Sequence, residues 1–209
     1  MAKEIAAIVL AAGLSRRMGR PKMLLPWGGQ TVLGQVLFTL REAGIEQRIV
    51  ITGAEREQVE EIARREGAEC LYNPDYASGE MLSSIQVGLQ ALESRAEVEA
   101  ALICLGDQPQ IEIRVVQEVV KAWCETHPPL IVPTHAGRRG HPWLVARIYW
   151  REILALRPPA TARTFLHAHT PAIHLVPVAT DSILKDLDTP QEYEKEKPDS
   201  GEWTVGGGR

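Results

Sequence analysis

The regular alternation of short apolar runs with segments of helical periodicity constrains the fold of this chain most strongly. Such alternation favours a parallel sheet, because a crossover between parallel strands needs a helix that packs on one face of the sheet. We therefore expect an α/β fold in which helices cover both faces of a mostly parallel sheet, with ligands at the carboxyl ends of the strands. The predicted strands are 5–12, 48–52, 69–72, 100–105, 130–132 and 173–178, and the predicted helices lie within 31–44, 55–65, 82–92 and 115–123, with two more between 146 and 169.

The length of 209 residues fits one domain with a substantial core. We expect residues 1–195 to form that domain and the polar, glycine-rich residues 196–209 to form a disordered tail. Within the domain, residues 27–30 are interpreted as a linker and residues 137–140 as a glycine-rich loop.

Charge and cysteine content exclude several classes of protein. The net charge of -4 argues against broad nucleic-acid binding. Cys70, Cys104 and Cys124 are odd in number and widely separated, so we expect free thiols in a reducing compartment, the cytoplasm. The apolar run after Glu4 is too short for a signal peptide, and no stretch approaches the length of a membrane span.

The segment from Leu10 to Lys22 combines an apolar strand end with a basic loop. The nine residues that follow Gly13 hold four cations and a second glycine. Small residues at Ala11, Ala12 and Gly13 let a ligand approach the backbone, and exposed amide groups can bind a phosphate. The spacing fits neither the P-loop nor the dinucleotide-binding pattern.

This segment, Leu-Ala-Ala-Gly-Leu-Ser-Arg-Arg-Met-Gly-Arg-Pro-Lys, resembles the signature L-A-A-G-x-S-x-R-M-G-x-x-K of the MobA-like nucleotidyltransferases, and every fixed position is present. The resemblance implies a three-layer, Rossmann-like fold of the GT-A type, with a nucleotide half at about 1–110 and an acceptor half at about 111–195. The alternative interpretation is a strand followed by a basic surface loop. The resemblance assigns catalytic roles to Arg17 and Lys22, and nucleotide binding to Leu10, Ala11, Ala12, Gly13, Ser15, Arg17 and Lys22.

Two acidic motifs follow later in the chain. Asp107, in Gly-Asp-Gln-Pro, comes directly after the clearest buried strand, and a carboxylate there can hold Mg²⁺ against a triphosphate. The resemblance gives Asp107 this metal-binding and catalytic role, and it makes Asp188 the second ligand, with Asp186 as its competitor. The alternative is that Asp107 caps the helix near Ile111 or forms a turn, and that Asp188 caps the helix that Pro190 begins.

A polar loop and a second glycine motif complete the candidate residues. The resemblance places base or ribose contacts at Asn73, Gly79 and Ser84, although an ordinary capped loop explains these residues equally well. The motif Gly-Arg-Arg-Gly-His-Pro at 137–142 resembles an element of the cytidylyltransferases in the molybdenum-cofactor branch. Its arginines could hold an acceptor phosphate, and its histidine could either contact the acceptor or fix the turn before the proline. The acceptor-binding candidates are Arg138, Arg139 and His141.

These residues together suggest that an acceptor phosphate attacks the α-phosphorus of a nucleoside triphosphate and that pyrophosphate leaves. Since such an acceptor is already anionic, cations, carboxylates and amides suffice, and Mg²⁺ is the expected cofactor. In the resembled family, alanine at the position of Ala12 accompanies cytidine transfer, which favours CTP, and the glycine-histidine-proline motif favours molybdopterin as acceptor. The alternatives are guanylyl transfer, a sugar- or methylerythritol-phosphate acceptor, and a non-catalytic nucleotide-binding domain. A molybdoenzyme could receive the product, and neither nucleic acid nor membrane is expected as a partner.

Overall fold

The computed structural model describes residues 4–78 and 81–198, and a mostly parallel sheet of eight strands lies at its centre. The strands of the sheet follow the order β10-β7-β9-β6-β1-β4-β5, and β8 pairs with β7, while β2 and β3 form a separate hairpin. The strands are β1 (Ile5–Ala11), β2 (Pro26–Trp27), β3 (Gln30–Thr31), β4 (Gln47–Thr52), β5 (Glu69–Tyr72), β6 (Ala100–Leu105), β7 (Leu130–His135), β8 (Arg138–Arg139), β9 (Trp143–Ala146) and β10 (Ile173–Pro177).

Helices cover both faces of this sheet. Alternate side chains of β1 point to opposite faces, so that Ala7 and Val9 pack into one hydrophobic core and Ala6 and Ile8 into the other. Helices α1, α2 and α4 contribute to the first core, and helices α3, α5 and α6 to the second. The predicted three-layer α/β fold is therefore confirmed. The helices are α1 (Val32–Glu42), α2 (Arg56–Arg65), α3 (Met81–Leu92), α4 (Ile113–Thr126), α5 (Trp150–Ala155), α6 (Ala162–Ala168) and α7 (Pro190–Glu196).

Strand β1 is an interior strand of the sheet. It pairs in parallel with β4 on one side and β6 on the other, and nearly all of it is buried. A strand buried on both faces has to be a continuous apolar run, which is what Ile5–Ala11 supplies. The loop that follows β1 therefore lies between the loops that follow β4 and β6.

The second half of the chain contains strands that the sequence pattern did not predict. Strand β9 lies between β6 and β7 and is antiparallel to both. The predicted loop 137–140 contains β8, because Ala136 and Gly137 both have positive φ values, 47° and 77°, and form a two-residue turn that folds β8 back on β7. The predicted linker 27–30 is the β2–β3 hairpin.

Other expectations have mixed outcomes. Cys70, Cys104 and Cys124 are free thiols. Glu196, which we expected to begin the tail, instead ends α7, and residues 199–209 lie outside the described residues. Among the helices of the described ranges, none is both long enough and apolar enough to cross a membrane.

Candidate functional site

The loop after β1 is braced by its own backbone and by one serine. Ser15 adopts a left-handed conformation, and its carbonyl oxygen accepts hydrogen bonds from the amides of Met18 and Gly19, both at 3.0 Å. The Ser15 hydroxyl accepts a further bond from the Lys22 amide at 3.2 Å. These contacts close the loop and carry Lys22 back toward the sheet, so the Ser15 hydroxyl has a structural role in addition to any contact with a nucleotide.

Two glycines let the neighbouring strand ends pack closely against the end of β1. A methyl group on Gly53, directly after β4, would collide with the backbone of Ala12, and one on Gly106, after β6, would lie 2.9 Å from the Leu10 carbonyl oxygen. By contrast, a methyl group on Gly13 would meet no protein atom within 4 Å. The sequence analysis did not identify Gly53, whose only signal is a glycine at the end of an apolar strand. Gly13 faces open space where a ligand can approach.

A cluster of charges joins this loop to two distant parts of the chain. The Lys22 Nζ atom donates to Asp107 Oδ2 and, at 3.2 Å, to Asp188 Oδ1. Arg17 forms an ion pair with the other oxygen of Asp188 at 2.5 Å. The side chains of Lys22 and Asp107 are only 11% and 13% exposed, whereas that of Arg17 is 70% exposed. The structure therefore brings together four of the predicted charged residues, Arg17, Lys22, Asp107 and Asp188, hereafter the charge cluster.

The electrostatics of the charge cluster keep Lys22 protonated. Burial alone lowers the pKa of Lys22, but the adjacent carboxylates of Asp107 and Asp188 outweigh burial and raise this pKa above its ordinary value. At neutral pH the Lys22 ammonium is consequently a fixed positive charge in the cleft beside Gly13.

Helix capping does not explain either acidic residue. Helix α4 begins at Ile113 with Glu112 at its N-cap, so Asp107 is not a cap. Helix α7 is capped by the Thr189 hydroxyl in a capping box with Glu192, which leaves the Asp188 carboxylate available to the charge cluster. The Leu187 amide donates to the Asp107 carbonyl oxygen at 3.1 Å and holds the two acidic segments together. The capping interpretation of Asp107 and Asp188 is therefore wrong, whereas the alternative that Asp107 lies in a turn is confirmed.

The donor groups suit a hard cation that shares its ligands with phosphate. Asp186 lines the same cleft as Lys22 and Asp107, and its pKa is raised, first by burial and then by Asp188 and Asp107. No set of three or more acidic, histidine or cysteine side chains in the described ranges is arranged to hold a metal ion alone. Mg²⁺ commonly takes only one or two carboxylates and completes its shell with water and phosphate oxygens, so Asp107 and Asp188 fit such an ion when a triphosphate is present.

Two adjoining cavities of about 240 Å³ and 350 Å³, hereafter the β1 cleft, surround the charge cluster. Both are lined by Gly13, Lys22 and Tyr76, and the larger one also by Ser15 and Arg17. Leu10 and Ala12 line the smaller one. Sequence reasoning missed Tyr76, although a tyrosine in the polar loop before a predicted helix was a signal that could have identified it.

The residues proposed to contact the base have different surroundings. The Asn73 side chain is buried, and its amide donates to the hydroxyls of Ser83 and Ser84 at 2.9 Å and 3.0 Å. Its carbonyl oxygen accepts from the Asp75 amide at 2.9 Å. These bonds give Asn73 a structural role at the start of α3, and a nucleotide contact by Asn73 stays a prediction. Ser84 lines the β1 cleft, and Gly79 lies outside the described residues.

A third cavity of about 970 Å³, hereafter the hairpin cavity, is lined by the β8 segment and α6. Arg138, Arg139 and His141 all line it. Burial lowers the pKa of His141 to about 4, so its imidazole is neutral at physiological pH. The His141 amide donates to the Ile183 carbonyl oxygen at 3.1 Å, which supports the turn-fixing role. The two arginines, in contrast, are exposed and charged.

Comparison with known proteins identifies the family of this chain. Residues 7–173 match the family model described as the MobA-like NTP transferase domain. The chain is 30% identical to the molybdenum cofactor cytidylyltransferase of Escherichia coli (strain K12) over 90% of this chain and 93% of that protein. It is 27% identical to the nicotine blue oxidoreductase of Paenarthrobacter nicotinovorans over 90% of this chain and 94% of that protein.

Solved structures show the same architecture. The crystal structure of Rv0371c from Mycobacterium tuberculosis H37Rv matches with a TM-score of 0.81 at 27% identity, over 93% of this chain and 97% of that chain. A complex of Rv0371c with manganese matches with a TM-score of 0.75 at 26% identity, over 92% and 97% of the two chains. The family match includes most of β1, the loop that follows it and Asp107. The chain therefore belongs to the MobA-like NTP transferase family and is a nucleotidyltransferase.

Proposed function

We propose that this nucleotidyltransferase moves CMP from CTP onto the phosphate of molybdopterin cofactor and releases pyrophosphate. The observation that carries the proposal is the convergence of Lys22, Arg17, Asp107 and Asp188 at the carboxyl end of β1. Two cations and two carboxylates at one strand end suit the stabilisation of a polyphosphate whose charge shifts during transfer.

The chain's own groups account for the transfer step. An oxygen of the acceptor phosphate attacks the α-phosphorus, the bond from that phosphorus to the bridging oxygen breaks, and both bonding electrons leave with pyrophosphate. Lys22, held by two carboxylates, supplies a positive charge in a position fixed before the substrate binds. Arg17, largely exposed, can leave Asp188 and pair with the leaving phosphates. No general base is needed, because the acceptor oxygen is already ionised.

Asp107 and Asp188 would hold Mg²⁺, which neutralises negative charge on the triphosphate when bound. Carboxylate oxygens are the ligands that this ion prefers, and the two side chains already approach a common cation, the Lys22 ammonium. The manganese complex of the related Rv0371c supports a divalent cation in this family fold.

The choice of CTP rests on Ala12 and on the similarity to the Escherichia coli cytidylyltransferase. Ala12 lines the β1 cleft and is only 6% exposed, so its methyl group narrows the space beside Gly13. A methyl group at this point favours the smaller pyrimidine ring over a purine. The same relative and the Arg138–His141 segment support molybdopterin as the acceptor.

The test measures pyrophosphate release with Mg²⁺ and molybdenum cofactor as CTP, GTP, ATP and UTP are compared, with Asp107→Ala as the control variant. We expect release with CTP alone and its loss in the variant. Release with GTP alone would support nucleotidyl transfer but contradict the proposed role of Ala12 in the choice of CTP. No release with any nucleotide would contradict the acceptor, and sugar and methylerythritol phosphates would be tested next. No release with any of these acceptors would contradict catalysis itself.

A further inference from the structure

We propose that Arg163 and His167 of α6 join Arg138 and Arg139 in an anion-binding subsite that holds the acceptor in the hairpin cavity. The ligand class is a flat, apolar body that carries at least one anionic group. The inference rests on the proposed function, which requires an acceptor phosphate, and it adds the residues that recognise the rest of that acceptor.

The composition of the hairpin cavity is the first observation. Its volume of about 970 Å³ exceeds that of the two cavities in the β1 cleft together. Arginines reach it from two separate elements, β8 and α6, and no aspartate or glutamate lines it among the described residues. Arg163 and His167 are four residues apart, so they share one face of α6. A cavity with basic groups on two sides and no acidic group attracts an anion.

The absence of protein partners for these arginines is the second observation. In the described parts of the chain, no side-chain hydrogen bond or ion pair engages Arg138, Arg139 or Arg163, although all three are exposed. Several arginines elsewhere are engaged, since Arg95 pairs with Glu69 and Arg147 donates to three backbone carbonyl oxygens, although Arg151 on α5 is not. Guanidinium groups gathered at one cavity without a protein carboxylate are available to bind a ligand anion.

The remaining wall determines the class of ligand. The exposed Met81 and the half-buried Leu166 also line the hairpin cavity, with Val132 and Trp143 buried beneath its wall, so its basic groups border an apolar surface that suits an apolar ring system. Met81, at the start of α3, lines both the hairpin cavity and the β1 cleft. A ligand in the hairpin cavity is therefore adjacent to the charge cluster, where its phosphate would react.

The test compares Arg163→Ala and Arg163→Lys with Arg151→Ala, a control that removes an equally unengaged and exposed arginine from α5, beside a different cavity. Pyrophosphate release is measured against the concentrations of molybdenum cofactor and of CTP. We expect the KM for the cofactor to rise roughly tenfold in Arg163→Ala and less in Arg163→Lys, because one charge-assisted contact is lost or weakened. The KM for CTP should stay at the wild-type level in both Arg163 variants. Arg151→Ala should keep the wild-type KM for both substrates.

An unchanged cofactor KM in Arg163→Ala, or an equal rise in Arg151→Ala, would overturn the inference and leave the proposed function intact. If the wild type releases no pyrophosphate with molybdenum cofactor, the proposed function fails, and the subsite is tested by the fluorescence of flavin mononucleotide in the presence of saturating CTP. Tighter binding by the wild type than by Arg163→Ala, with riboflavin weaker than its phosphate, would support the subsite. Equal binding by the wild type and the variant, or no binding, would overturn it.

Discussion

The β1 cleft and the hairpin cavity both contain positive charge, but the cations differ in burial and in pairing with carboxylates. In the β1 cleft, Lys22 is nearly buried and paired with two carboxylates. In the hairpin cavity, Arg138, Arg139 and Arg163 are exposed and have no ion pair within the described ranges. A paired, buried cation is fixed in place and suits the reacting phosphorus, whereas exposed arginines can adjust to a larger ligand. Under the proposed function, this difference separates a site for chemistry from a site for recognition.

Replacement of Lys22 should give the largest effect. We expect Lys22→Ala to lower the turnover number by about 10²–10³-fold, since one preorganised charge at the reacting phosphates is lost. Lys22→Arg keeps the charge but cannot reproduce the compact ammonium between Asp107 and Asp188, so it should recover only part of the rate. Steady-state pyrophosphate release measures both variants. Full activity with unchanged nucleotide affinity in Lys22→Ala would remove the charge cluster from the mechanism.

Two glycines beside the loop should separate stability from binding. We expect Gly53→Ala to lower the free energy of unfolding by about 1–3 kcal/mol, because its methyl group collides with the Ala12 backbone. Gly13→Ala meets no protein atom, so its stability should change by less than about 0.5 kcal/mol while its affinity for CTP falls. Urea denaturation and calorimetric titration with CTP measure the two quantities. Equal destabilisation by both variants would show that the space at Gly13 is not reserved for a ligand.

His141 should make the acceptor half sensitive to acid. Its folded-state pKa is about 4, below the ordinary value of 6.5, so the unfolded chain binds more protons between these values and stability falls as the pH drops. Between pH 7 and pH 5 this histidine should account for a loss of roughly 2 kcal/mol in the free energy of unfolding, and His141→Gln should lose correspondingly less. Denaturation curves at the two pH values test this, and an identical loss in the wild type and His141→Gln would contradict the burial of the imidazole.

Ionic strength should give the smallest effect and distinguish the two regions directly. A rise from about 0.05 M to 0.5 M salt shortens the Debye length several-fold and screens exposed charges more than buried ones. We therefore expect the KM for the acceptor to rise with salt. The contribution of Lys22, measured as the ratio of wild-type to Lys22→Ala turnover at each salt concentration, should change by a smaller factor. If this turnover ratio falls with salt as steeply as the affinity for the acceptor, the charges of the β1 cleft and of the hairpin cavity are equally exposed to solvent.

Local patterns predicted most of the fold, and their failures have a common cause. The strands Glu69–Tyr72 and Ala100–Leu105 were predicted with the observed bounds, because each is an isolated apolar or β-branched run between turns. Strand β9 has β6, a strand distant in the chain, as one of its two neighbours, so no local period identifies it. Its antiparallel pairing between β6 and β7 is determined by the tertiary fold.

The candidate site was likewise predicted only in part from local patterns. The signature after β1 identified Lys22, and the position after a buried strand identified Asp107, but their contact spans 85 positions and only the fold reveals it. Thr189 rather than Asp188 caps α7, which the sequence left open because both residues suit a cap. Tyr76 and Arg163 belong to no recognisable spacing. Only the folded structure shows that each of them lines a cavity.

The contact between Lys22 and Asp188 joins the loop after the first strand to a segment that follows every strand of the sheet in the chain. The last strand of the sheet, β10, ends at Pro177, yet the charge cluster needs Asp188, which follows Lys22 by 166 positions. A chain that ended before Asp188 would contain every strand of the sheet and still lack one carboxylate of the charge cluster.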